Sequence, residues 1–404
     1  MKLPEYVKNL INILHAAGEE AYAVGGCVRD MIMGREPNDY DMTTSALPER
    51  TQEIFEGAGF RVIPTGLKHG TVTVIADSHH VEITTFRIDG DYNDSRHPDS
   101  VTFTRRVEDD LARRDFTVNA MAYNEKDGLV DVFGGRADIN EKLIRAVGDP
   151  DKRFSEDALR ILRAVRFSAT LGFEIDPATL SAMKNSKDGL LRVSRERIRV
   201  EFWKTLVCER AQYGLDVMLR TGILGVIFPC LDASSVSELA QKIAILPPDF
   251  EVRLAFLLSK TDAGNADEII SSLKLSRASS EKVSLMLIAA ERELPDINSG
   301  YSVRKYLQRF RKNAVNAALI RALTEGVDAS DVICALECEA EKSPPLCIPD
   351  LKISGADLIM YGITDGLSIG GVLYSLIEAV IENPELNEKE KLMALAIDFS
   401  KRSK

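Results

Sequence analysis

AYAVGGCVRDMIMGREPNDYDMTT, residues 21–44, is the stretch on which the reading of this chain turns. AYAV reads as a short strand running into a Gly25–Gly26 turn, VRDMIMG as a helix, and NDYDMTT as polar residues entering a second strand. Side chains alternate faces along a strand, so Asp39 and Asp41 present both carboxylates to one side. Two anionic groups aimed together repel unless a divalent cation lies between them, and hard carboxylate ligands select Mg2+. An Asp-x-Asp pair alone is more often a solvated turn. Here a glycine turn lies just upstream. Glycines let the backbone approach a phosphate, a helix amino terminus offers free N–H groups, and Arg29 adds a guanidinium suited to bidentate phosphate contact. The bland alternative is a tight strand-to-helix turn with a surface arginine. With both halves present, a nucleoside triphosphate on Mg2+ is the better reading.

Outward from this stretch the first third reads as mixed α/β. Val7, Leu10, Ile11 and Leu14 follow helical spacing, a helix is expected near PERTQEIFEGAG (48–59), and FRVIPT, GTVTVIAD and HVEITTFR read as strands. His79–His80 reads as a plain turn between two of them, and residues 88–104, rich in turn formers, as a mobile loop. Helices take over from about 108, and no strand is expected after LVDVFGG (129–135). The fold class is therefore α+β: a mixed sheet with helices, followed by an all-α remainder.

At 404 residues, 45% hydrophobic and 28% charged, the chain has the composition of a globular protein of two or three domains. No run approaches the roughly 18 apolar residues of a membrane span, and Met1–Leu14 does not read as a signal peptide. Six cysteines without CxxC spacing point to a reduced, cytoplasmic compartment. The five histidines all lie before residue 98, which argues against an appended histidine-ligated phosphohydrolase domain. The net charge of −11 argues against a nucleic-acid partner, but it is a sum. Residues 1–100 hold nine basic and sixteen acidic side chains, residues 152–210 thirteen and eight, and residues 301–321 six and none.

Two further clusters carry chemistry. LARRDFTVNAMAYN places Arg113, Arg114 and Asp115 together, an arginine suited to a triphosphate and an aspartate able to accept from a ribose hydroxyl; an internal salt-bridge cluster is the alternative. In RFSEDALRILRAVRF, Asp157, Arg160, Arg163 and Arg166 recur every three residues, making a winding stripe of donors beside one carboxylate on a single helix. Asp accepts from an exocyclic amine and Arg donates to a ring nitrogen or carbonyl, as a base edge requires. A solvated helix face is the alternative. Trp203 is expected in the core with Phe202 and Leu206.

These residues carry a resemblance to the class II tRNA nucleotidyltransferases, the CCA-adding enzymes, of the polymerase-beta nucleotidyltransferase superfamily. The resembling blocks are GGCVRD with NDYDMTT, GLKHGTVTV, VEITTFRIDGDYNDSRHPDSV, DLARRDFTVNAMAY, FSEDALRILRAVRF and SRERIRVEF, spanning about residues 22–202; LKISGADLI and IGGVLYSLIEAVIENPELN resemble the family more loosely. The resemblance implies a polymerase-beta-like head (1–138), a helical neck reading the base (139–206), a helical body (207–300) and a tail reaching the tRNA elbow (301–404). It implies CTP, ATP and tRNA as partners, Mg2+ as cofactor, no membrane and no obligate protein partner. It implies Asp39 and Asp41 as metal ligands, with Glu82 as a third carboxylate unless strand alternation turns it away. Gly26 and Arg29 would meet the triphosphate, Arg114 would contact the nucleotide, with Gly25 and Asp115 also at the nucleotide, and Asp157 and Arg160, supported by Arg163 and Arg166, would read the base. The reaction implied is in-line attack of the tRNA 3′-hydroxyl on the α-phosphate. Poly(A) polymerase, CC-only or A-only addition, and a non-catalytic RNA-binding module are the alternatives. The run 301–321, with Tyr301, Tyr306 and Phe310 among its cations, is either an RNA-contacting face through Lys305, Arg309 and Arg311 or a solvated helix.

Overall fold

The structure is a computed structural model and describes residues 1–67, 70–90, 101–363 and 366–402. Ala21–Val24 (β1) is buried at every position, as a strand covered on both faces must be. It sits within a seven-stranded sheet with β2 (Asp41–Thr44), β3 (Arg61–Gly66), β4 (Thr71–Ala76), β5 (His79–Thr85), β8 (Ala122–Asn124) and β9 (Gly128–Val130), in the order β3-β4-β5-β2-β1-β8-β9. Only the β2–β5 pairing in this sheet is parallel. The helix α1 (Glu5–Ala16) buries Val7, Leu10, Ile11 and Leu14, the stripe its spacing predicts. α2 (Gly26–Ile32) follows the glycine turn and α3 (Pro48–Gly57) buries Phe55.

The structure corrects several expectations. The β4–β5 turn is Asp77–Ser78, both at positive φ (47° and 68°) as a two-residue hairpin loop demands. His79 and His80 therefore begin β5, and His79 stacks on Tyr6 at 4.2 Å and 8°. Residues 88–104 are not loop throughout: β6 (Arg87–Asp89) pairs antiparallel with β7 (Val101–Phe103). The middle of that segment, and Lys68 and His69 of the GLKHGTVTV block, lie outside the described residues. Strands also occur after 135, where β10 (Leu143–Ile144) pairs parallel with β11 (Glu174–Ile175); at two residues each they are too short to leave a pattern. Trp203 is 39% exposed, while Phe202 and Leu206 are buried.

Helices α4 (Val107–Ala112), α5 (Gly135–Glu141), α6 (Pro150–Glu156), α7 (Leu159–Leu171), α8 (Pro177–Ser186) and α9 (Arg195–Val207) complete the part that bears the site. Asp149 caps α6 on the Asp151 amide at 3.0 Å, with Pro150 at the first helical position. The helix stops at Asp157, whose backbone is extended (φ −145°, ψ 102°). Asp157 then accepts from the Leu159 amide at 3.0 Å, starting α7. The expected single helix carrying Asp157 with Arg160 is thus two helices, with Asp157 at the break.

Two compact units emerge. One comprises Met1–Ala233 with Ser271–Lys274, and so holds both the expected head and the expected neck. The other comprises Ser234–Ile270 with Leu275–Lys404, and its described elements are helical. One core of this second unit gathers Leu351, Leu358, Leu376, Val380, Ile381 and Leu392.

Candidate nucleotide and metal site

Strand register builds the site. Val24 lies opposite Asp41 on one side and Ala122 on the other, so the Gly25–Gly26 turn leaves β1 beside the start of β2. The Gly25 amide donates to the Met121 carbonyl at 3.1 Å. The strand proper begins at Asp41, two residues after Asp39, yet the alternation holds: Asp39 and Asp41 are exposed, Tyr40 and Met42 buried. Met42 pairs in parallel with Ile83, so one step back sets Glu82 alongside Asp41 on the same exposed face. Strand alternation therefore does not turn Glu82 away. Burial, followed by the charges of Asp39 and Glu82, pushes the Asp41 carboxyl up to about 6, with Arg114 opposing. Solvent still reaches Asp41.

Among the described residues no group of three or more His, Cys, Asp and Glu side chains is placed to hold a metal ion. Mg2+ does not require one, because it retains waters and takes one or two carboxylates together with substrate phosphates. The exposed, like-charged oxygens of Asp39 and Asp41 fit such a two-carboxylate donor set.

Cations face the turn. Gly25 holds φ +83°, which favours glycine, and a Cβ there would press on Arg114 Nη1 at 3.0 Å. Arg114 Nη2 reaches Asp110 Oδ2 at 3.4 Å, and among the described residues its buried Nε has no hydrogen-bond acceptor. Asp110 is fully buried; burial would raise its carboxyl, but Arg113 and Arg114 hold it below the ordinary carboxylate range. It also accepts from the Thr43 hydroxyl at 3.3 Å, tying α4 to β2. Arg29, 8% exposed, donates to Asn119 Oδ1 at 2.7 Å and to Asp30 at 2.9 Å.

Asp115 sits in an internal network of hydrogen bonds and an ion pair. It accepts from the Phe116 amide at 2.8 Å, Asn119 Nδ2 at 3.3 Å and Arg163 Nε at 2.7 Å. Burial would raise its carboxyl, but Arg163 foremost pulls it down to about 2. With both oxygens engaged, Asp115 braces Arg163 and Asn119.

The arginine stripe is present on α7, and a carboxylate pins each member. Arg160 donates to Glu156 at 2.7 Å and to the carbonyls of Arg153 and Arg113 at 3.1 Å each. Arg163 pairs with Asp115, and Arg166 with Glu201 at 2.6 Å. Asp157, at the break, pairs with Arg197 of α9 at 2.7 Å. A cleft of about 500 Å³, lined by Asp89, Arg113, Lys152, Arg153 and Glu156 among others, borders this face and excludes the acid pair. Register and charge, more than cavity volume, locate the chemistry.

Sequence reasoning missed Asp110, Asn119, Glu156, Arg197 and Glu201. Two had a local signal: Asp110 precedes Arg113 and Arg114 by three and four residues, and Glu156 precedes Arg160 by four. Asn119 follows Asp115 by four residues, but its bond to Arg29 and the partners of Arg197 and Glu201 act across long sequence separations and leave none.

In the second unit, the run 301–321 is not one cationic track. Arg304 pairs with Glu339 at 2.9 Å, Lys305 with Glu378 at 2.9 Å and Arg321 with Glu325 at 2.9 Å. Tyr306 and Phe310 are buried, whereas Arg309, Arg311 and Lys312 are exposed.

A mixed sheet that presents paired carboxylates beside a glycine turn, with arginines opposite, defines a nucleotidyltransferase, and comparison with known proteins agrees. Residues 21–145 match the family described as the Poly A polymerase head domain, and residues 172–235 the family described as a probable RNA and SrmB-binding site of polymerase A. The chain is 37% identical to a CCA-adding enzyme of Limosilactobacillus fermentum, over 98% of this chain and 97% of that one. It is 34% identical to that of Levilactobacillus brevis, over 98% of both. The solved Bacillus stearothermophilus CCA-adding enzyme in complex with CTP is 31% identical and superposes with a TM-score of 0.82, covering 100% of this chain and 99% of that one. The chain belongs to the CCA-adding enzyme family.

Proposed function

We propose that Asp39 and Asp41, assisted by Glu82, form the catalytic centre with which this chain adds C, C and A to the 3′ end of tRNA, using CTP and ATP and no nucleic-acid template. The observation that carries this reading is the strand register: Val24 opposite Asp41 and Met42 opposite Ile83 gather the glycine turn and all three carboxylates at one end of the sheet. Asp39 and Asp41 would hold Mg2+, which when bound supplies the positive charge that activates a hydroxyl and neutralises departing pyrophosphate. The tRNA 3′-hydroxyl displaces pyrophosphate in line, so no side chain serves as nucleophile. Gly25 and Gly26 bring the backbone close to the triphosphate. Arg29 and Arg114 neutralise it, and the unpartnered Arg114 Nε is a buried donor suited to an anionic oxygen.

Asp157 and Arg160 present an acceptor and a donor to the base edge, from positions fixed by Arg197 and Glu156. Arg163 and Arg166 support them. Arg309 and Arg311 are the exposed cations offered to the RNA backbone, while Lys305 is engaged with Glu378. Among the described residues no helix is long and apolar enough to cross a membrane, and six free thiols suit a reduced, cytoplasmic setting.

Sequencing the product formed from a tRNA transcript lacking its terminal CCA, supplied with CTP and ATP, tests the reading. Ends completed to CCA are expected. Ends stopping at CC, long A tails or no extension would overturn it.

A further inference from the structure

Three guanidinium groups converge on one aromatic ring. The guanidinium carbon of Arg166 lies 4.0 Å from the centroid of Phe167, that of Arg163 5.3 Å and that of Arg29 5.4 Å. Arg29 belongs to α2 beside the acid pair, whereas Arg163 and Arg166 belong to α7. The ring is 8% exposed, and Phe116 meets it edge-on at 5.8 Å and 78°.

A continuous polar chain runs around the ring. Arg29 donates to Asn119 at 2.7 Å, and Asn119 to Asp115 at 3.3 Å. Arg163 donates to Asp115 at 2.7 Å and lies 3.8 Å from Glu201, to which Arg166 donates at 2.6 Å. Three like charges this close repel one another. Asp115 and Glu201 offset the α7 pair and Asp30 offsets Arg29, but the group common to all three arginines is the ring. A π face attracts a guanidinium within about 6 Å, and an aliphatic side chain of similar size does not.

We infer that Phe167 is a positioning residue that fixes the spacing between Arg29, at the triphosphate end of the nucleotide, and Arg163 with Arg166, which support reading of the base. This rests on the reading above and deepens it. The ring touches neither the reacting atoms nor the metal ligands; it acts through the arginines. Its loss should loosen the hold on a whole nucleotide far more than the hold on a phosphate group alone. Pyrophosphate, the product, reports on the phosphate end; CTP and ATP report on both ends.

The test is steady-state addition to tRNA lacking its terminal CCA, with pyrophosphate inhibition measured in parallel. Phe167→Leu keeps an apolar side chain and removes the π faces. It is expected to raise KM for CTP and ATP about tenfold, with the pyrophosphate inhibition constant changed less than about threefold. Phe167→Tyr retains the ring and should recover KM to within about threefold of the wild type. Should Phe167→Leu fail to fold, Glu201→Gln, which loosens the α7 arginines and leaves Arg29 untouched, is expected to show the same split. The proposal is overturned if Phe167→Leu leaves KM within about twofold, if pyrophosphate affinity falls in step with that for CTP, or if Phe167→Tyr fails as Phe167→Leu does. A wild-type protein that incorporates no nucleotide would instead overturn the functional reading itself. An active wild type matched by Phe167→Leu would overturn only the role of the ring.

Discussion

The acid end of the sheet and the arginine face of α7 lie in the same unit and solve opposite electrostatic problems. On the sheet, strand register gathers Asp39, Asp41 and Glu82 on one exposed face, and the Asp41 carboxyl is pushed up by its surroundings. On α7, Arg160, Arg163 and Arg166 are each matched by a carboxylate: Glu156, Asp115 and Glu201. One region stores unmatched charge; the other is held by its own ion pairs before any ligand arrives. The lesson is that a site for a cation is recognised by its imbalance, and a site that must hold donors in fixed directions by its balance.

The largest effect expected from breaking this contrast is at the acid end. Asp39→Ala should lower nucleotide incorporation by on the order of 10³-fold with the fold retained, as measured by single-turnover addition and thermal melting. On the arginine face, Asp115→Asn should act on stability as well as activity. Removing one partner of a largely buried pair costs roughly 1–3 kcal/mol here, reduced from the fully buried case because Arg163 is about one-third exposed. That should appear as a melting temperature lower by several degrees.

The pH dependence of that pair has a definite sign. The folded Asp115 carboxyl lies at about 2, below its unfolded value near 3.9. Its stabilisation is therefore present above about pH 4 and lost as pH falls towards 2. Asp115→Asn should accordingly flatten the acid limb of the stability curve.

A smaller change is expected from an Arg309→Ala/Arg311→Ala double variant, which should weaken tRNA binding several-fold and reduce its salt dependence by about two charges. Lys305→Ala, which cuts the ion pair with Glu378, should leave the salt slope unchanged.

The smallest effect sharpens the contrast from the other side. Asp41→Asn should raise the melting temperature of metal-free protein slightly, on the order of 1–2 °C above pH 6. The folded carboxyl lies at about 6 and its unfolded value near 3.9, so the penalty is full above the first and absent below the second. The gain should therefore vanish by about pH 4.

Much of the site was legible in the sequence because its parts are local. The Gly25–Gly26 turn, the Asp39/Asp41 alternation and the three-residue arginine step each span only a few residues, where spacing dictates facing. What escaped needed partners far along the chain. Whether Glu82 faces the metal side depends on parallel pairing with β2, which no local pattern encodes. Asp115 looked like a free acceptor until Arg163, forty-eight residues away, was found on it. The break at Asp157 hid behind an unbroken three-residue rhythm, because an aspartate that closes a turn before the next helix carries the same side chain as one on a helix face. In the second unit, acids brought in from distant helices, Glu339 and Glu378, neutralise cations that the sequence presents as a bare run.

The central claim is that the acid pair is the catalytic centre. Its most direct test is the Mg2+ dependence of CMP incorporation into tRNA lacking its terminal CCA, compared between the wild type and Asp41→Asn. The wild type should be inactive in chelator and recover fully as Mg2+ is restored, while Asp41→Asn stays inactive at every Mg2+ concentration despite an intact melting transition. Incorporation by the wild type in chelator, or a variant that titrates to wild-type rates, would contradict the account.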